Sequence, residues 1–113
     1  MPSNLDVSVT ADLNGLSATP DTLHVPNGFD GTITWTLTGA AFLNPALTFD
    51  GETPPSFELT NMNTPTTRVR RWGNFLIPNA DPISYYYTLH VVLPNGLHIE
   101  LDPTVENDPP TGP

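Results

Sequence analysis

The sequence has no cysteine and no lysine. Without cysteine there can be no disulfide, no thiolate metal ligand and no cysteine nucleophile. A type 1 copper centre is excluded as well, because it requires a thiolate. Without lysine, the formal positive charge falls to three arginines against twelve acidic residues, a net charge of −9. Such a surface repels polyanions, so neither nucleic acid nor an anionic membrane surface is an expected partner. What the charge does provide is solubility. No apolar run approaches the ~20 residues that span a bilayer. The first residues, Met1-Pro2-Ser3-Asn4-Leu5-Asp6, show neither the basic nor the apolar region of a secretory leader, so a soluble, cytoplasmic protein is the expectation. A nucleophile elbow, a local serine–histidine pairing and a phosphate loop are all missing. The expectation is therefore a non-catalytic protein without a cofactor.

Helical periodicity is missing too. In its place, short alternating apolar runs are separated by turn signals, with fourteen prolines and eight glycines spread over 113 residues. That length suits one domain. Leu5, Val7 and Val9 alternate with polar residues, Thr22–Val25 forms a short run closed by Pro26-Asn27-Gly28, and Ile33, Trp35 and Leu37 alternate with threonines over Thr32–Thr38. Leu47–Phe49, Ser56–Thr60 (with Phe57 and Leu59 on one face) and Thr66–Trp72 read as further strands, the last continuing into Asn74–Ile77. Asp50-Gly51-Glu52-Thr53-Pro54-Pro55 reads as a loop.

The clearest element is a hairpin. Ser84–Leu93 and Leu97–Leu101 flank Pro94-Asn95-Gly96. A two-residue loop would pair Val91 with Glu100 and mix core with solvent. A three-residue loop instead pairs Leu93 with Leu97, Val91 with Ile99 and Leu89 with Leu101. It places proline first in a type I turn and glycine at the left-handed position of a G1 bulge. One face then carries Tyr85, Tyr87, Leu89, Val91 and Leu93 with Leu97, Ile99 and Leu101. The other carries Tyr86, Thr88, His90, Val92, His98 and Glu100. Beyond Asp102 the prolines and the scarcity of apolar residues predict an acidic strap and frayed tail over 104–113, outside a sandwich domain of 1–103.

Three constellations can carry chemistry. In this register His90 faces Glu100 with His98 on the diagonal, a set that suits a divalent metal or, more plainly, a solvated polar face. Arg68, Arg70 and Arg71, followed by Trp72, hold all the formal positive charge. Arg68 and Arg70 share one strand face, and Val69 and Arg71 share the other. Guanidiniums beside an indole can bind a carboxylate or phosphate or dock a second subunit; equally, they can guard an edge strand. The strap residues Asp102, Glu106, Asn107 and Asp108, and the loop residues Asp50 and Glu52, offer oxygen to calcium but lack EF-hand spacing.

The stretch Ser84–Pro109, with its Tyr-rich strand, Leu-Pro-Asn-Gly-Leu-His turn and Leu-Asp-Pro-Thr-Val-Glu-Asn-Asp-Pro exit, resembles the bacterial DP-EP proteins. Asp102-Pro103 matches the first of the two acidic dipeptides. Glu106 is followed by Asn-Asp-Pro rather than directly by proline. The resemblance implies an Ig-like or cupredoxin-like sandwich and a bacterial source, with no assigned activity. The fold expected is all-β: seven to nine short strands in a two-sheet antiparallel Greek-key sandwich. The function expected is binding or protein interaction, with a protein partner or a second copy of the chain. A divalent-metal-binding protein or metal-dependent enzyme using His90, His98 and Glu100 is the alternative.

Overall fold

The computed structural model describes residues 3–12, 14–51, 54 and 56–110. Its strands are β1 (Ser3–Asp12), β2 (Gly15–Thr19), β3 (Thr22–Val25), β4 (Asp30–Thr38), β5 (Ala41–Asp50), β6 (Ser56–Glu58), β7 (Thr67–Gly73), β8 (Ile83–Val92), β9 (His98–Leu101) and β10 (Thr104–Asn107). A 3-10 turn covers Thr60–Met62. Sheet 1 runs β2-β1-β4-β7-β6; sheet 2 runs β3-β10-β8-β5, with β9 also on β8. The chain crosses between the sheets at β2–β3, β3–β4, β4–β5, β5–β6 and β7–β8.

The all-β sandwich is as expected, but its detail differs. The described residues form ten strands because Gly15–Thr19, with only Leu16 and Ala18 to mark it, also pairs. The sheets are mixed rather than purely antiparallel: β1 lies parallel to β4, and β10 parallel to β3. The β1–β4 pairing is supported by apolar side chains brought side by side on the inner face, Leu5 with Ile33, Val7 with Trp35 and Val9 with Leu37. Val7, Val9, Ile33, Trp35, Leu37 and Trp72 from sheet 1 meet Val25, Phe42, Tyr87, Leu89, Val91 and Val105 from sheet 2 in one core. Burying such side chains is worth about 1.5–3 kcal/mol each.

The hairpin register is as read from the sequence, with Leu89 facing Leu101, His90 facing Glu100 and Val91 facing Ile99. Leu93 N donates to Leu97 O at 2.9 Å, Gly96 N donates to Leu93 O at 2.8 Å, and Gly96 takes φ +88°. Leu97, placed on the core face by alternation, is instead 57% exposed at the turn.

The predicted tail is corrected most. Thr104–Asn107 is a strand inside sheet 2, antiparallel to β8 and parallel to β3. Tyr86 faces Thr104 just as Leu89 faces Leu101, so one register runs through Asp102-Pro103 without a slip. Pro103 has no N–H to give, but its carbonyl still accepts from Tyr87 N at 3.2 Å. The ladder thus loses one donor at the β9–β10 junction and resumes, because Thr104-Val105-Glu106-Asn107 contains no proline and points Val105 and Asn107 inward. Residues 111–113, like Glu52, Thr53 and Pro55 of the predicted loop, lie outside the described residues.

Asn74 does not continue β7. It is fully buried, and its Nδ2 donates to Val25 O at 2.8 Å and to Asp108 O at 2.7 Å. Its backbone exchanges bonds with Gly28 and Phe29. One side chain thereby ties the ends of β3 and β10 to the exit of β7.

Candidate functional site

The arginine strand divides by parity. Arg68, Arg70 and Trp72 face the interior, while Val69 and Arg71 lie on the other face, where Val69 is covered and Arg71 partly exposed. Arg68 is buried. It donates from Nη1 to the carbonyls of Thr64 and Thr67 and from Nη2 to that of Leu43 at 3.3 Å, and it lies over the Phe42 ring at 5.2 Å. Arg70 donates from Nε to Ser56 Oγ at 3.1 Å and stacks 4.9 Å over Phe49. Burial lowers the pKa of both guanidiniums, with nearby Glu58 acting weakly in the opposite sense. Each stays far enough above neutrality to remain charged. Trp72 packs edge-on against Tyr85 and donates from Nε1 to Asn107 Oδ1 at 2.8 Å. These three residues line the core along β7, leaving Arg71 as the arginine directed to the outer face.

Arg71 sits in an apolar setting. Phe57, on the three-residue edge strand β6, is its register partner and is 60% exposed. Phe75, 70% exposed, lays its ring over Gly73, where a Cβ would come within 2.7 Å of the ring. Glycine is therefore what seats this ring on the outer face. Asp30, the register partner of Gly73, accepts from Arg71 Nη2. The edge thus presents two phenyl rings around an arginine–aspartate pair. Met62 and Ile77, also exposed, lie in the same stretch of chain, so four of the six large exposed apolar side chains among the described residues fall between 57 and 77.

The outer face of sheet 2 is polar. His90 Nε2 meets Thr48 Oγ1 at 2.8 Å and its Nδ1 lies 3.5 Å from Glu100 Oε2, so both ring nitrogens have protein partners. His98, opposite Val92, shares with His90 the wall of an open cleft of about 310 Å³ that Leu43, Asn44, Pro45 and Thr48 complete. Among the described residues, one set of three His, Asp and Glu residues brings its ligand atoms within 4.8 Å of one another, and it is His24, Glu106 and Asp108. His24 Nδ1 lies 3.2 Å from Glu106 Oε2 and 3.1 Å from Asp108 Oδ1. The hydrogen bond to Asp108 leads in raising the His24 pKa, opposed by desolvation and assisted by the charges of Asp108 and Glu106. The sequence marked Glu106 and Asp108 as oxygen donors but had no means of bringing His24 to them.

Comparison with family models, with curated proteins and with solved structures finds no match. The resemblance of residues 84–109 to the DP-EP proteins therefore stands on those residues alone.

Proposed function

We propose that this protein is a non-catalytic interaction module that associates with a second copy of itself through the outer edge of sheet 1. The supporting observation is the Phe57–Arg71–Phe75 face. Exposed aromatic rings around an arginine have the composition of interface centres. Because the face holds both Arg71 and Asp30, it is self-complementary: across a two-fold axis the arginine of each copy meets the aspartate of the other, and the rings pack between them. In a chain of net charge −9, this locally neutral, apolar zone is where a second copy approaches with least repulsion.

Sedimentation velocity over a concentration series tests it. The wild type is expected to form a concentration-dependent dimer. Phe57→Ser with Phe75→Ser, or Arg71→Glu, is expected to leave it monomeric with an unchanged thermal midpoint. Adding Asp30→Arg to Arg71→Glu restores the opposite-charge set and with it the dimer. A wild type that sediments as a monomer at every concentration overturns the reading.

A further inference from the structure

On the opposite layer, the outer face of sheet 2 carries a second, independent feature. We infer that His24, Glu106 and Asp108 form a binding site for a divalent transition-metal ion of the zinc class.

The site is built on paired strands. His24 on β3 and Glu106 on β10 are register partners in a parallel pair, so their outward side chains stand side by side. Asp108 follows directly, and its backbone is held at both ends: its N donates to Val25 O at 3.0 Å, and its O accepts from the buried Asn74 at 2.7 Å. Ser84, across from Glu106 on β8, donates from Oγ to Glu106 Oε1 at 3.1 Å. That bond fixes one carboxylate oxygen and leaves Oε2 turned to the imidazole, the kind of outer hydrogen bond that orients a metal ligand.

The spacing fits an ion. Zinc bonds to nitrogen and carboxylate oxygen of about 2.0–2.2 Å put adjacent ligand atoms roughly 3–3.5 Å apart. The imidazole nitrogen already stands 3.2 Å from Glu106 Oε2 and 3.1 Å from Asp108 Oδ1. With all three ligand atoms within 4.8 Å of one another, an ion requires only small side-chain adjustments. One imidazole nitrogen with two carboxylate oxygens favours zinc-class ions over calcium or magnesium, which take oxygen almost exclusively. His24 is 59% exposed, so water can complete the coordination, and the negative field of the chain concentrates cations at the surface.

The test titrates Zn²⁺ into the full chain by calorimetry at pH 7.5 in a non-chelating buffer. One saturable site is expected. His24→Ala and Asp108→Ala are each expected to weaken it by at least about tenfold, whereas the His90→Ala/His98→Ala double variant retains it. A second measurement does not depend on any variant folding: in the wild type, Zn²⁺ must perturb the ring resonances of His24 before those of His90 and His98. The inference is overturned if the wild type shows no saturable binding, if His24→Ala binds as tightly as the wild type, or if the His90 and His98 resonances respond first.

Discussion

Trp35 Nε1 donates to the phenol oxygen of Tyr87 at 2.9 Å, with the two rings edge-on at 5.8 Å, and this pair joins sheet 1 to sheet 2 through the middle of the core. Both residues are almost completely buried, so no water can replace either partner. Tyr87→Phe keeps the ring contact but strands the indole N–H. A buried donor left without an acceptor costs about 1–3 kcal/mol. Urea unfolding of the variant should show that loss as a lower midpoint with an unchanged slope.

The same burial gives the protein an alkaline limit. Desolvation raises the Tyr87 pKa above its ordinary value, partly opposed by the bond from Trp35. A phenol with a folded pKa above its unfolded one leaves stability intact below about pH 10 and drains it as pH rises further, because only the unfolded chain ionises there. Absorbance titration should show Tyr87 ionising only together with loss of the near-ultraviolet circular dichroism.

Neighbouring arginines should separate stability from association. Arg68→Met removes the donor to the three carbonyls of Thr64, Thr67 and Leu43. It should destabilise the fold by about 1.5–3 kcal/mol, the range for hydrogen bonds to charged groups. Arg71→Ser, on the outer face with a partly exposed ion pair, should change stability by no more than about 0.5 kcal/mol while weakening dimer formation. Thermal unfolding and sedimentation on the same two variants check both halves.

What the sequence revealed follows from how local each feature is. The β8–β9 register was legible because Pro94-Asn95-Gly96 and the alternation beside it lie within a few residues of each other. Leu97 escaped the same rule because its position at the turn, rather than its parity, decides its exposure. The alternation also put Arg68 and Arg70 on one face, but it took Trp72, in phase with both, to reveal that this face points inward. Arginine hides the signal because its stem packs like an aliphatic chain while its charge reads as surface. β10 is hidden in the sequence because the prolines on either side of Thr104–Asn107 break the pattern at its ends and not in the segment between them. The His24–Asp108 contact joins residues 84 positions apart, and no spacing rule reaches across that distance.

The place of β10 makes sheet 2 depend on a contact between distant parts of the chain. Among the described residues, β3 has no partner in its sheet other than β10. The inward side chains of β3, Leu23 and Val25, are therefore committed to a core whose neighbouring strand lies far along the chain from them. Sheet 1 is built from β1, β2, β4, β6 and β7, whereas β3 without β10 would be an open edge. Pairing the two is a long-range contact that also brings in Val105 and Asn107, with Asn74 bonded to Val25 and Asp108 at their ends. A chain stopped at Leu101 would keep its best-specified hairpin and still have no finished second layer.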